Sequence, residues 1–281
     1  EFTVNEPDVL SATVSVSDAL CNGGLGSAEL TVTGGTAPYE TEDLSSLSAG
    51  DYTTSVVDAN GCETSVSFTI SELEAMAISA TWSNYTGYGV SCNGANDGFI
   101  DITVTGGTGV YTYAWSNGST TEDVADLSAG VYTVTVLDGN GCTETLSVII
   151  DEPDPLEIIV VETEPSDCTP SGSVEAIVSG GTGVYSYELV DSATMNIVES
   201  NDTGYFTGFQ SSIYYVTVSD SNNCSQEFEF ELTEPLPISF SSNISSYNNF
   251  GVSAADASDG SIDISVTGGT GIYNYNWSNG E

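Results

Sequence analysis

Short runs of alternating apolar and polar residues recur along the chain. The clearest runs lie at residues 100–104, 111–115 and 132–136, where Ile, Val, Tyr or Trp alternate with Asp, Thr or Ala. A period of two, carried by β-branched and aromatic side chains, is typical of strands with one buried and one solvated face. The pattern therefore predicts antiparallel strands, and no segment shows a helical period.

Turn signals separate these runs at short, regular intervals. Asn117-Gly118 and Asp138-Gly139-Asn140-Gly141 combine residues that tolerate positive φ, so both predict hairpins. Six or seven short strands joined in this way describe an immunoglobulin-like β-sandwich. The predicted fold class is all-β, as tandem small immunoglobulin-like β-sandwich domains arranged like beads on a string.

A Gly-Gly motif recurs four times, at residues 33–36, 105–108, 179–182 and 267–270. Each copy follows a predicted strand, and in the last three copies a Tyr-x-Tyr pair comes after it. A period of about 70 to 80 residues is too long for a solenoid repeat and indicates a series of small domains.

Glutamate residues, three of them followed by proline, mark the boundaries between these domains. Glu6, Glu72, Glu152 and Glu234 occupy equivalent places, with leucine instead of proline after Glu72. We predict the last strand of a preceding repeat at 1–7, repeat 1 at 8–73, repeat 2 at 74–153, repeat 3 at 154–235 and a partial repeat 4 at 236–281. Proline restricts its own φ and the residue before it, so we expect short, stiff junctions. Because both ends fall inside the repeat pattern, we expect the chain to be a window of a longer one.

Repeats 1 and 3 depart from the common pattern in length. From Gly35 to Glu42 is seven residues, whereas the equivalent distance from Gly107 to Glu122 is fifteen. Repeat 1 should therefore lack most of one strand and its turn, and should have a smaller core. Repeat 3 carries a polar insertion at residues 191–204, which we expect to form an exposed loop.

The charge is entirely of one sign, with 41 acidic residues, no Lys, Arg or His, and a net charge of −41. Nucleic-acid binding is disfavoured, because its affinity comes from Lys and Arg that neutralise phosphates. Anionic membrane surfaces would repel the chain, and no apolar run is long enough to cross a bilayer, so we expect no direct membrane insertion. A hydrophobic content of 39%, arranged in alternation, nevertheless predicts a folded chain.

The six cysteines fall two to a repeat in the first three repeats. The first member precedes the strand before the Gly-Gly turn, and the second follows an Asp-x-Asn turn. We predict disulfides within repeats, Cys21–Cys62, Cys92–Cys142 and Cys168–Cys224, and hence an oxidising compartment. The rival interpretation is a metal site, but two cysteines without histidine make a poor zinc site.

Oxygen-bearing turns are candidates for calcium, because Ca²⁺ prefers oxygen ligands. The candidate ligands are Asp58, Asn60, Asp138, Asn140, Asp220, Asn222, Asp97 and Asp259. The alternative is an ordinary turn closed by hydrogen bonds from the backbone to the aspartate side chain. No EF-hand loop accompanies these turns, and apart from calcium we expect no cofactor.

Catalysis has little support in the sequence. Carboxylate pairs such as Glu42-Asp43 and Glu122-Asp123 could serve acid–base chemistry, but they recur in polar turns where solvation accounts for them. We therefore predict no catalytic residue and no enzymatic activity. Four aromatic residues form either a sugar-stacking platform or one buried face: Tyr111, Tyr113, Trp115 and Trp277.

Together these motifs resemble a known repeat. Repeat 2 combines Cys92-Asn93-Gly94, an Asp-Gly step, the Gly-Gly turn, Trp115-Ser116-Asn117-Gly118 and an Asp-x-Asn-Gly-Cys ending at Cys142. This combination resembles the SprB repeat, named after the giant cell-surface adhesin of gliding bacteria in the Bacteroidota. The resemblance covers essentially the whole chain, although repeat 3 lacks the Trp motif. It implies a secreted, surface-anchored protein that is exported by the type IX system and forms long filaments.

The function expected from this resemblance is a structural stalk segment of a long extracellular adhesin filament, in surface attachment or gliding motility. Two alternatives stay open, a glycan- or surface-binding module and a pilus-like polymer subunit. The expected partners are further repeats of the same long chain, the outer-membrane secretion or motility machinery, and an unknown surface or glycan ligand. The expected location is the extracellular face of the outer membrane.

A modification motif lies in the insertion of repeat 3. Asp191-Ser192-Ala193 resembles the Asp-Ser/Thr-apolar acceptor used for O-glycosylation in Bacteroidota. Thr203 and Ser221 lie in weaker versions of the motif. Because an inserted loop would be accessible to a transferase, these three hydroxyls are the predicted O-glycosylation sites.

Overall fold

The computed structural model describes residues 6–163, 172–269 and 271–279. The chain forms two compact units, Glu1–Glu152 and Pro153–Glu281. All regular elements in the described residues are β-strands, and they are collected into small antiparallel sheets. The predicted fold class, all-β with tandem immunoglobulin-like β-sandwiches, is confirmed.

Repeat 1 has four strands, β1 (Ser11–Ser17), β2 (Ser27–Thr33), β3 (Gly50–Val57) and β4 (Glu63–Ile70). β1 pairs with β2, and β3 pairs with β4. In place of the missing strand the described residues contain single bridges, one of them between Glu40 and Val57. The buried cluster of this repeat consists of Leu44, Phe68 and Ile70, with Ala19 and Val56 also buried, so the core is small, as the deletion predicts. Residues 1–5, most of the predicted leading strand, lie outside the described residues.

Repeat 2 is a six-stranded sandwich. Its strands are β5 (Ala77–Trp82), β6 (Gly98–Thr105), β7 (Tyr111–Trp115), β8 (Val124–Leu127), β9 (Gly130–Asp138) and β10 (Thr143–Ile150). One sheet has the order β5-β6-β8 and the other β10-β9-β7. Ile100 of one sheet and Val134 and Val136 of the other are completely buried, so alternate residues of both sheets form the core.

One of the two predicted hairpins in repeat 2 is wrong. Residues 139–142 join β9 to β10, which pair as predicted. The Asn117-Gly118 turn closes through a Gly118 N–H to Trp115 carbonyl bond of 2.9 Å, but the strands on either side enter different sheets. The reason is that a turn residue fixes only the local reversal, whereas the partner of each strand is set by which sheet buries its apolar side.

Repeat 3 has seven strands, β11 (Glu157–Thr163), β12 (Gly172–Ser179), β13 (Ser186–Asp191), β14 (Asn196–Asn201), β15 (Tyr205–Phe209), β16 (Ser212–Ser219) and β17 (Ser225–Leu232). The sheets have the orders β11-β12-β15 and β14-β13-β16-β17. The insertion expected to be a loop contains β14, which pairs with β13 at the sheet edge. An edge strand is held by main-chain bonds and needs no buried face, which is why its sequence shows no clear alternation.

Repeat 4 contributes β18 (Ser239–Ile244) and β19 (Ile262–Thr267), which pair with each other. Apolar side chains of this hairpin are open to solvent, with Phe240 70% exposed. The pairing matches that of β5 with β6 in repeat 2, so repeat 4 begins in the same way as the complete repeats.

Candidate functional site at the junction of repeats

The Gly-Gly turn holds the segment that leads into its own repeat. In repeat 2 the backbone N–H of Gly107 donates to the carbonyl of Glu74, the second residue after the boundary glutamate, at 2.9 Å. Gly106 has φ of +79°, and a Cβ there would lie 2.1 Å from the carbonyl oxygen of Ala75. The motif therefore requires glycine for both conformation and space. The same backbone bond recurs from Gly35 to Asp8, from Gly181 to Asp154 and from Gly269 to Leu236.

A tyrosine closes the same turn. The hydroxyl of Tyr111 donates to the carbonyl of Gly106, so the first tyrosine of the Tyr-x-Tyr pair is fixed to the first glycine of the motif. Equivalent bonds join Tyr39 to Gly34, Tyr185 to Gly180 and Tyr273 to Gly268. The presence of Tyr39 shows that the shortened repeat 1 keeps this contact although it has no Tyr-x-Tyr pair.

The aspartate of each Asp-x-Asn turn joins that turn to the Gly-Gly turn. One carboxylate oxygen of Asp138 accepts the backbone N–H groups of Asn140 and Cys142 at 3.0 and 2.8 Å. The other oxygen accepts the N–H of Thr108 at 3.1 Å. The side chain is buried, and its three N–H partners compensate for the lost hydration. Asp58 and Asp220 make the equivalent three bonds in repeats 1 and 3.

These hydrogen bonds favour the ionised form of the aspartate. The backbone N–H of Cys62 is the main cause that holds the pKa of Asp58 below its ordinary value, and Thr36 and Asn60 add to it. Burial raises the pKa of Asp138, but the bonds from Cys142, Asn140 and Thr108 outweigh it, so this pKa is also lowered. The chain has no cationic side chain, so backbone N–H groups take the role that Lys or Arg would otherwise have.

In the described residues these turns have a structural role. The carboxylate oxygens of Asp58, Asp138 and Asp220 face N–H donors, and Asp97 and Asp259 each accept one serine N–H at 3.0 Å. Within residues 6–163, 172–269 and 271–279 no cluster of three or more acidic or cysteine side chains could hold a metal ion. These residues therefore form hydrogen-bonded turns, which was the alternative to calcium sites. Calcium binding itself stays a hypothesis.

The boundary glutamate holds the Cys-Asn-Gly loop at the opposite end of the repeat. In repeat 1 the carboxylate of Glu72 accepts the N–H of Gly23 at 2.6 Å, and the amide of Asn22 donates to the carbonyl of Leu73 at 3.2 Å. In repeat 2 the carboxylate of Glu152 accepts the N–H of Gly94 at 2.7 Å. The boundary glutamate thus positions the first cysteine of its own repeat.

Repeats 1 and 2 therefore each have two distinct ends, which we call the Gly-Gly end and the Cys-Asn-Gly end. In repeat 1, β4 starts after Cys62, beside Asp58 at the Gly-Gly end. It finishes before Ser71, whose carbonyl accepts the N–H of Ala19 near the Cys-Asn-Gly loop. A strand of eight residues is about 26 Å long. The two cysteines of one repeat are thus separated by the length of the sandwich.

The predicted disulfides within repeats 1 and 2 are wrong for this reason. Bridged cysteines need Cα atoms within about 7 Å of each other. Cys21 and Cys62 lie at opposite ends of β4, and Cys92 and Cys142 lie at opposite ends of β10. The predicted pair Cys168–Cys224 involves Cys168, which lies outside the described residues, while Cys92 and Cys224 are both disulfide-bonded.

The disulfide that the structure forms joins repeat 1 to repeat 2. Cys21 and Cys142, 121 residues apart, are bonded with a Cα–Cα distance of 5.7 Å. The side-chain amide of Asn140 donates to the carbonyl of Leu20 at 3.0 Å beside the bridge. The Cys-Asn-Gly end of one repeat is thereby fastened to the Gly-Gly end of the next.

Cys62 occupies the place in repeat 1 that Cys142 occupies in repeat 2. It is an exposed free thiol. The amide of Asn60, equivalent to Asn140, donates to the hydroxyl of Thr36 within its own repeat at 2.9 Å. The turn itself is unchanged, because Asp58 keeps its three backbone bonds. The turn is therefore formed by contacts within its own repeat, even where its cysteine has no bond to a neighbour.

The aromatic residues of repeat 2 belong to its core. Trp115 is 5% exposed, and its indole N–H donates to the carbonyl of Thr121 at 2.9 Å. Tyr111 and Tyr113 are partly buried against the same core, whereas Trp277 of repeat 4 is 36% exposed. Of the two interpretations, the buried face is correct for repeat 2.

The three predicted glycosylation sites differ in how much their hydroxyls are engaged. Ser192 is partly exposed in the turn between β13 and β14, beside Asp191, which bonds the N–H groups of Ala193 and Thr194. The Thr203 hydroxyl contacts Asn201. The Ser221 hydroxyl accepts the N–H of Val184 at 2.9 Å and donates to its carbonyl. Glycosylation of all three stays a prediction, with Ser192 the least engaged hydroxyl.

No helix in the part of the chain that the structure describes is long and apolar enough to cross a membrane.

Comparisons with known families and structures give one specific match. The model of the SprB repeat family matches residues 13–40, 90–120, 160–194 and 255–281, and every match includes a Gly-Gly turn. No curated protein matches the chain.

Solved structures resemble the chain only distantly. The N-terminal eight immunoglobulin domains of Down Syndrome Cell Adhesion Molecule, isoform 1.30.30, match with 10% identity and a TM-score of 0.26, over 83% of this chain and 46% of that one. Methylamine-reacted α2-macroglobulin of Salmonella matches with 8% identity and a TM-score of 0.20, over 83% and 24%. Elastase-activated α2-macroglobulin of Escherichia coli matches with 12% identity and a TM-score of 0.18, over 77% and 28%. The chain thus spans less than half the length of each of these proteins.

Proposed function

Because the model of the SprB repeat matches this chain four times, we propose that it is a stalk segment of a long extracellular adhesin filament, in surface attachment or gliding motility. The observation that carries the proposal is the Cys21–Cys142 disulfide, which fastens successive repeats end to end. A stalk must keep its domains in line and at fixed spacing, and a covalent bond between neighbouring domains serves that purpose directly.

The placement of the recurring residues supports this role. In repeat 2 the Gly-Gly turn binds the incoming linker, Asp138 supports the turn that carries Cys142, and Glu152 positions the Cys-Asn-Gly loop. A binding module would be expected to place its recurring residues around a lateral pocket. Here they are at the two ends, where repeats follow one another.

The junction between repeats 1 and 2 is held from both sides. The carbonyl of Leu73 accepts the amide of Asn22 in repeat 1, and the carbonyl of the adjacent Glu74 accepts the N–H of Gly107 in repeat 2. Consecutive linker residues are thus bonded to different repeats, although this junction has no proline. Such a linker fixes the orientation of one repeat relative to the next, as a stalk requires, whereas a flexible linker would not.

The charge suits a filament exposed to solvent. A net charge of −41 makes neighbouring copies repel each other at distances up to about 8 Å at physiological salt. Disulfides persist in extracellular, oxidising surroundings. Both features favour a secreted location at the cell surface, where the secretion or motility machinery of the outer membrane would export and anchor the chain.

The stalk is tested on cells that produce the protein. Antibodies raised against the 281-residue chain should label filaments outside the outer membrane in immunogold electron microscopy. They should also detect a polypeptide far above 29.1 kDa in denaturing gels. A band at 29.1 kDa, or label confined to the cell interior, would overturn the proposal.

The two alternatives predict different results. A glycan- or surface-binding module would retain specific carbohydrate ligands on a glycan array when the purified chain is applied alone. A pilus-like polymer would give ladders of assembled chains from purified protein without any other component. The stalk proposal expects neither.

A further inference from the structure

Two extended strands and one disulfide form a continuous covalent route through repeats 1 and 2. The route enters at Asp8, whose carbonyl is bonded at the Gly-Gly end, and follows β1 to Cys21 at the Cys-Asn-Gly end. The disulfide then leads to Cys142 at the Gly-Gly end of repeat 2. From there β10 runs to Asp151, at the Cys-Asn-Gly end of repeat 2. The carboxylate of Asp151 accepts the N–H of Gly89 at 2.8 Å.

Both strands on this route run in the direction of the chain as a whole. β1 leads from the entry of repeat 1 to its Cys-Asn-Gly end, and β10 leads from the Gly-Gly end of repeat 2 to its exit. A β-strand rises about 3.3 Å per residue, which is close to the rise of a fully extended polypeptide. Tension can therefore lengthen these two strands only slightly.

The residues between Cys21 and Cys142 lie inside a covalent loop that the disulfide closes. Residues 22–141 include β2 to β4 and β5 to β9, which provide most of the core of both repeats. A force applied before Cys21 and after Cys142 is carried by the disulfide, so it cannot pull these residues out in sequence.

We infer that the Cys21–Cys142 disulfide is a bypass for tension: it transfers a force applied between the entry of repeat 1 and the exit of repeat 2 from β1 to β10, and it keeps residues 22–141 out of that path. The inference deepens the proposed function, because it names how a stalk of these repeats would resist extension. It requires no further group, since the bond is already formed.

The bypass has a large effect on length. If the disulfide is absent, unfolding releases the 121 residue steps between the two cysteines, which extend to about 400 Å. With the disulfide present, their Cα atoms stay near 5.7 Å apart. The difference far exceeds what the outer segments contribute, because those are short and already extended.

Single-molecule force spectroscopy on the full chain measures this length. Handles would be attached through azide-bearing amino acids in place of Glu6 and Asp154, two exposed residues, so that no thiol chemistry is needed. Under non-reducing conditions the bypass predicts no unfolding step of this size between the handles. The C21S/C142S double variant should gain about 400 Å of contour length on complete unfolding.

Two controls separate the bypass from a general folding defect. Adding a phosphine reductant to the native chain during the pull should produce the same gain without any substitution. The C62S variant, which changes the equivalent but unbonded cysteine, should behave like the native chain. A gain of about 400 Å from the oxidised native chain, or no additional gain after reduction, would contradict the inference. The stalk proposal can fail by immunogold labelling while this result stands, so the two failures are distinguishable.

Discussion

Cys21 and Cys142 are bonded to each other although each has another cysteine in its own repeat. Cys21 belongs to the loop that the boundary glutamate holds, and Cys142 follows the turn that the buried Asp138 supports. The two residues therefore meet where one repeat ends and the next begins. In this part of the chain the disulfide therefore joins two repeats and does not close a single one.

The first prediction concerns the close contact at the Gly-Gly turn. Gly106→Ala places a Cβ at 2.1 Å from the carbonyl oxygen of Ala75, so the linker must move, whereas Gly118→Ala has no atom within 4 Å. Both glycines have positive φ, so both substitutions cost about 1 to 2 kcal/mol for the left-handed backbone. The clash should add about 1 to 3 kcal/mol at Gly106 only. Denaturant unfolding of the two variants measures the difference, and equal losses would show that the linker does not pack against this turn.

The second prediction follows from the lowered pKa of Asp138. A carboxylate whose pKa is depressed in the folded state contributes stability above its unfolded value of about 4. That contribution is lost as the pH falls through the lower, folded-state pKa. Asp138→Asn replaces one N–H acceptor by an amide donor, so it should lower the melting temperature at pH 7. The deficit should begin to shrink below about pH 4, where the unfolded aspartate takes up a proton, and should be smallest below the lowered folded-state pKa, where the native aspartate is protonated as well.

Salt must be high in this comparison, because the net charge of −41 also varies with pH. The Asp51→Asn variant serves as a control, since Asp51 is an exposed strand residue whose carboxylate accepts the Thr69 hydroxyl. A deficit for Asp138→Asn that stays constant from pH 7 to pH 2 would exclude an ionised carboxylate at this turn.

How far the sequence predicts this structure depends on the range of each interaction. Strands such as β6 and β9 follow from local alternation, and the turn at residues 139–142 follows from local glycine and asparagine residues. The edge strand β14 was missed because it is exposed on all sides except its paired edge, so no alternation marks it. Strands and turns that depend on neighbouring residues were predictable. The pairing of strands was less predictable, because a strand's partner can lie far away in the sequence.

The pairing of Cys21 and Cys142 differs from the prediction because two cysteines of one repeat, although close in sequence, lie far apart in space. The missed signal is the direction of the strands. The chain enters a repeat at one end and leaves at the other, so its first and last strands run the same way. Cys21 follows the first strand and Cys62 precedes the last one, which places them at opposite ends. The boundary glutamate, used only as a landmark in the sequence, is the residue that positions Cys21.

The third prediction tests that positioning. Glu72→Ala removes the acceptor of the Gly23 N–H, so the Cys-Asn-Gly loop should be less often in place when the disulfide forms. An exposed contact of this kind contributes up to about 1 kcal/mol, equivalent to about a fivefold change in an equilibrium. Thiol–disulfide equilibrium in a glutathione buffer should show that shift toward the reduced form. Glu72→Gln keeps a carbonyl oxygen as acceptor and should shift less, and an unchanged equilibrium for Glu72→Ala would remove the role assigned to Glu72.

The fourth prediction concerns Ser192. Its hydroxyl lies in a partly exposed turn, whereas that of Ser221 is bonded to both backbone groups of Val184. If natively secreted protein is glycosylated at Asp-Ser/Thr motifs, the peptide with Ser192 should carry the glycan and that with Ser221 should not. Mass spectrometry of the native protein provides the comparison, with Ser192→Ala as the control that loses the mass increment. An unmodified Ser192 peptide would refute this assignment.

The junction itself is tested most directly by mapping the disulfides of the oxidised chain. Because the chain has no Lys or Arg, a protease that cleaves after acidic residues is needed. Mass spectrometry without reduction should find a peptide containing Cys21 linked to one containing Cys142, and should find Cys62 alkylated by iodoacetamide. Recovery of Cys21 linked to Cys62, or of Cys92 linked to Cys142, would show that the disulfides close single repeats and would contradict the account of the junction.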